Sequence, residues 1–126
     1  MHIGAVETFE GIVGRYTRDG FHDSRLVRLT VALDDSSLQL VIGHYRDDED
    51  REVHVTSTLM FTTFSQLTVE DATLWGSRAP LDPIAHGIDA VEGERRNGGG
   101  AFTVTGIRGW QIRFIAEDVV YSETMP

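Results

Sequence analysis

The sequence predicts a mainly β fold, an antiparallel sandwich or partly closed barrel with a short N-terminal helix. Three observations carry that expectation. From Leu26 onward, apolar residues recur at every second position, the period of a half-buried strand. Turn-forming pieces such as "DDSS" and "RG" separate the runs. Connections this short exclude parallel crossovers, which need roughly a dozen residues or more. A curved sheet with the helix packed on one face is the alternative arrangement.

Taken in order, residues 5–16 place Ala5, Phe9, Ile12, Val13 and Tyr16 at helical spacing, with Glu7 and Glu10 near the favoured end of the helix dipole. "RDG" then ends the helix. Val27, Leu29, Val31 and Leu33 define a first strand, and "DDSS" turns into a second with Leu38, Leu40 and Ile42 on one face. "RDDEDRE" is a charged hairpin loop, and Val53, Val55, Leu59 and Phe61 mark a third strand, completing a meander.

"FSQLTVED" and "ATLWG" are candidate short strands. "SRAPLDPIAHG" reads as a loop, because Pro80 and Pro83 interrupt any ladder. "ERRNGGGAF" reads as a flexible connection. Phe102, Val104 and Ile107 lead to a two-residue turn at Arg108-Gly109. Trp110, Ile112, Phe114 and Ala116 alternate along the returning strand, which Asp118, Val119, Val120 and Tyr121 extend past a bulge.

At 126 residues, with 40% hydrophobic and 25% charged residues, the chain is expected to make one domain, 1–126, with a core that needs no staple. The absence of cysteine removes disulfides, thiolate catalysis and cysteine-ligated metal centres. Glutamates in "MHIGAVETFEG" break any signal-like apolar run, and no run reaches membrane-spanning length, so a cytoplasmic protein is expected. A formal net charge of −9 argues against nucleic acid, whose binders neutralise phosphates. The same charge suits a basic protein partner, through the field that steers its approach.

The candidate site residues divide into three groups. His22 and Asp23 sit where the glycine turn meets the first strand. Neighbours in an extended segment point to opposite sides, so catalysis by the pair, or by Ser24 with His22, is disfavoured. Phe21, His22 and Asp23 are instead expected to lock the junction, with Asp23 accepting a backbone hydrogen bond two residues on. His44 and His54 would face each other in a hairpin centred on Glu49, near acidic residues. That register sets an apolar face against a polar one. A shift of one residue repairs the pairing and sends the histidines to opposite faces, so no metal or other cofactor is expected. Asp47, Asp48, Glu49 and Asp50 form the third group, an acidic tip able to pair with arginines or lysines of a partner.

"RRNGGG" lacks a phosphate-loop lysine and a dinucleotide fingerprint, and reads as a mobile loop. Trp75 and Trp110 are expected in the core, while Tyr45 and Tyr121 are candidates for a partner face. An uncovered edge strand could also pair two copies into a homodimer.

The succession "GFHDSRLVRLTVAL", "LQLVIGHY", "VTSTLMFTTFSQL" and closing "WQIRFIAEDVVY" resembles a loose group of small bacterial proteins in which a Phe-His-Asp motif opens a β-meander. Some of that group are immunity proteins of polymorphic toxin systems. The resemblance implies a noncatalytic protein-interaction domain, an inhibitor that covers a basic toxin enzyme. The alternatives are a small-molecule or carbohydrate-binding β-domain with Trp75 or Trp110 as a stacking platform, and a small hydrolase or isomerase using His22 or His86 as base.

Overall fold

The computed structural model describes residues 9–11, 21–48, 51–70, 84–96 and 99–124, with the backbone alone for 46–48. Eight strands follow one another: β1 (Arg25–Ala32), β2 (Ser37–Asp48), β3 (Arg51–Thr62), β4 (Ser65–Glu70), β5 (Ile88–Arg96), β6 (Gly99–Gly106), β7 (Gln111–Ala116) and β8 (Asp118–Thr124). They form two four-stranded antiparallel sheets, in the orders β1-β2-β3-β8 and β4-β7-β6-β5. The architecture is a sandwich, not a closed barrel. Residues 9–11 are helical, and the rest of the expected helix lies outside the described residues, as do "ATLWG" and both prolines of "SRAPLDP". Among the described residues no helix is long and apolar enough to cross a membrane.

The expected meander is present, and its register is the shifted one. His44 pairs with Val55 and Tyr45 with His54, so the two histidines occupy opposite faces of the sheet. Leu38, Leu40 and Ile42 meet Phe61, Leu59 and Ser57 on the inner face. The energetic reason is the one the pattern supplies: any odd slip would turn three fully buried apolar side chains to solvent.

Strand β1 departs from strict alternation. A register shift between Leu26 and Arg28 turns Leu26 into the core and leaves Val27 about half exposed, while Leu33 lies beyond the strand in solvent. Val27 and Leu33 therefore do not share the inner face with Leu29.

The second sheet holds the largest differences from expectation. The described residues of "ERRNGGGAF" are strand and not a flexible connection, and 97–98 lie outside them. Arg95 and Arg96 pair with Gly100 and Gly99 in the β5–β6 hairpin, and β5 was masked in the sequence by its exposed charges. The β6–β7 turn spans residues 107–110, so Ile107 belongs to the turn and is partly exposed. Gly109 supplies the left-handed backbone there, at φ 94°.

Trp110, Ile112, Phe114 and Ala116 are all buried, as their alternation requires. Residues 118–121 do not extend β7. At Glu117, whose N–H donates to the Thr62 carbonyl, the chain crosses to the other sheet and becomes β8 beside β3. The core between the sheets centres on Phe61, whose ring lies 4.7 Å from both Phe102 and Phe114. Phe9 adds an edge-on contact to Phe102.

Candidate functional site

The β2–β3 hairpin is longer than either neighbour. Among the described residues, the β1 ladder reaches β2 no further than Gly43, and the β8 ladder reaches β3 no further than Thr56. Beyond those positions 44–48 and 51–55 pair with each other in a two-stranded arm. Its outer face carries Tyr45, 51% exposed, with its ring edge-on to His54 at 5.1 Å. Val27 and the side-chain-free surface of Gly43 adjoin the pair.

Asp47 and Glu52 occupy the next outward register position of the arm. Asp47 and Asp48 end β2, whereas Glu49 and Asp50 lie outside the described residues, as does Trp75. Register thus brings an exposed aromatic pair and part of the acidic tip onto one face.

The inner side of the same region holds a chain of polar groups. His44 Nε2 lies 2.6 Å from Ser57 Oγ, Ser57 Oγ lies 2.8 Å from Tyr121 Oη, and Tyr121 donates to Glu123 Oε2 at 2.6 Å. A carboxylate can only accept, which fixes every hydrogen: His44 Nε2–H donates to Ser57, Ser57 to Tyr121, and Tyr121 to Glu123. The Ser57 proton points away from the imidazole, opposite to the arrangement of a base-activated nucleophile. Ser57 is also fully buried and His44 nearly so, leaving no approach for a substrate carbon.

Sequence reasoning missed this chain. Its signal was present, because His44 and Ser57 each interrupt an apolar row at the inward parity of adjoining strands. Tyr121 and Glu123 gave no such signal, and Tyr121 belongs to this internal chain and not to an exposed face.

The Phe21-His22-Asp23 segment is a turn and not extended backbone. Phe21 and Asp23 have φ of 69° and 64°, a left-handed conformation uncommon for a bulky residue. That turn reverses one expectation: it brings the neighbouring side chains together, with His22 Nε2 3.5 Å from Asp23 Oδ1. His22 Nδ1–H donates to the Asp89 carbonyl at 2.8 Å, and the Asp89 carboxylate stands 3.6 Å away. His22 is half exposed, so the bond to loop backbone forms at the surface.

The Asp23 contribution to the lock comes from its backbone, whose N–H donates to the Ile88 carbonyl. The Ile88 N–H answers to Ser24, and Leu26 N–H to His86, joining the start of β1 to the turn before β5. Phe21 is fully buried with its ring edge-on to His44 at 5.3 Å. That burial, worth roughly 2 kcal/mol, offsets the backbone strain.

No protein-family model, no curated protein and no solved structure matches this chain.

Trp110 is fully buried, with its indole N–H donating to the Ala85 carbonyl at 2.9 Å, so it cannot serve as a stacking platform for a sugar. His86 lends its backbone carbonyl to the clasp on β1. Among the described residues, no group of three or more histidine or carboxylate side chains is placed to hold a metal.

Proposed function

We propose that the protein is a noncatalytic interaction module that captures a basic protein through its β2–β3 arm. The observation that carries this reading is the arm itself, which projects past both neighbouring strands and presents Tyr45 beside His54 and Val27. Tyrosine is a favoured anchor at protein interfaces, since it buries a large rigid surface and keeps a polar tip. Acidic positions around such an anchor form a rim that selects and steers a cationic partner. A net charge of −9 extends that field over the whole molecule.

Among the described residues no strand pairs with β2 beyond Gly43 or with β3 before Thr56, so these edges offer ladder groups that a partner strand could satisfy. The resemblance of the Phe21-His22-Asp23 segment to proteins that include immunity proteins supports a basic toxin enzyme as the partner. The buried, wrongly polarised Ser57–His44 pair favours binding over hydrolysis, and His22 is accounted for as a clasp between β1 and the β5 turn.

The test is parallel affinity capture from source-cell lysate with the wild type and Tyr45→Ala, at low and high salt. A stoichiometric basic protein held by the wild type, released by salt and lost from Tyr45→Ala is the expected result. Retention of the same proteins by Tyr45→Ala would refute the arm as the contact surface. Tyr45 is exposed, so the variant keeps its fold.

A further inference from the structure

The opposite side of the sandwich carries a second feature, independent of the arm. The outer face of the β4-β7-β6-β5 sheet is hollowed into an open groove of about 500 Å³. The hollow follows from the sequence of the central strand. Ala101 and Thr103 are small outward residues of β6, flanked by the longer side chains of Glu92 and Glu94 on β5 and Arg113 on β7. Register aligns Glu92, Thr103, Arg113 and Thr68 in one row across all four strands.

The charges of this groove do not cancel locally. Arg113 is drawn to Glu70 on the far strand, 2.7 Å away, and Arg96 pairs with Glu94 at 3.1 Å along its own strand. Both arginines are thus committed to acids of the rim. Among the described residues, Glu92 forms no ion pair, and it stands beside the hydroxyl of Thr103 in the row. What the groove offers a ligand is therefore one carboxylate acceptor, two threonine hydroxyls and the amide of Gln66. An arginine side chain supplies the complementary set, a planar cation with several N–H donors. Phe102 and Phe114 line the groove but are almost fully buried, so they offer no exposed ring for stacking a sugar, and its remaining apolar lining is Ala101 and Ile115.

We propose that this groove binds the guanidinium of an arginine side chain presented by a peptide, with Glu92 as the recognition carboxylate. The occupant follows from charge complementarity: the unpaired carboxylate lies on a molecule of net charge −9, which concentrates cations at its surface. The size of the hollow matches a side chain with its flanking peptide groups.

The experiment is an amide chemical-shift titration of the whole protein with acetyl-Gly-Arg-Gly-amide, and with the same peptide carrying citrulline, which keeps the shape but removes the charge. The arginine peptide is expected to move the amides of Glu92, Thr103, Arg113 and Thr68. The citrulline peptide and the Glu92→Gln variant should each weaken binding about tenfold, the scale of one charge-assisted hydrogen bond. Equal binding of the citrulline peptide would overturn the guanidinium assignment. Undiminished binding by Glu92→Gln would overturn the role of Glu92. Absence of shifts in the groove with either peptide would overturn the site. None of these outcomes bears on Tyr45-dependent capture by the arm, which Glu92→Gln leaves intact.

Discussion

Ser57 is the residue on which the interior polar chain depends. Its hydroxyl is at once the acceptor for His44 and the donor to Tyr121, so replacing it removes both bonds. Ser57→Ala should lower unfolding free energy by about 1–3 kcal/mol, because the buried His44 N–H loses its acceptor. Tyr121→Phe takes the acceptor from the buried Ser57 hydroxyl and should likewise cost about 1–3 kcal/mol. Urea denaturation of both variants checks this, and an unchanged stability for Tyr121→Phe would contradict the direction assigned to the chain. At the surface, His22→Ala removes one bond to the Asp89 carbonyl. It should lower the melting temperature by about 3–5 °C without preventing folding. An unchanged melting temperature by calorimetry would show that the clasp does not stabilise the junction.

At the scale of elements, the β6–β7 connection shows how two glycines serve different ends. A Cβ at Gly106 would lie inside the ring of Trp110, which is itself fully buried and tied to Ala85. Gly106→Ala should therefore cost about 3 kcal/mol or more, through overpacking with no room to relax. Gly109 has open space around its Cα but a left-handed backbone. Gly109→Ala should cost only about 1–2 kcal/mol, the backbone penalty alone. Chemical denaturation separates the two, and equal losses would mean that one of these causes is misassigned.

The β1 bulge illustrates the limit of pattern reading. Alternation from Val27 to Leu33 is real in the sequence, yet one extra residue between Leu26 and Arg28 changes which of them is buried. The β5–β6 hairpin was illegible for a different reason: its exposed arginines and glycines look like a loop until β7 supplies the neighbouring ladder.

For the whole molecule, the governing quantity is charge. On the proposed reading, the acidic tip and the net charge of −9 would act together on an approaching cationic partner, and salt screens such fields within about 10 Å at 0.1 M. A variant neutral at Asp47, Asp48, Glu49 and Asp50 should associate with the captured partner about tenfold more slowly at low ionic strength. The two rates should converge as salt is raised. Stopped-flow association measures this directly, and an identical low-salt rate would remove the tip from the encounter.

The sequence by itself determined the class of fold, the three-stranded meander, the inward row Trp110, Ile112, Phe114 and Ala116, and the one-residue register that parts His44 from His54. These follow from local periodicity, because a side chain's face is set by its parity along the strand. Only the tertiary structure decided that residues 118–124 cross to the other sheet, that His44 reaches Tyr121 and Glu123 through Ser57, and that Glu92, Thr103, Arg113 and Thr68 share one row. Those relations join strands far apart in the chain. They arise when two sheets pack and non-neighbouring strands pair, an outcome that parity along one strand cannot encode.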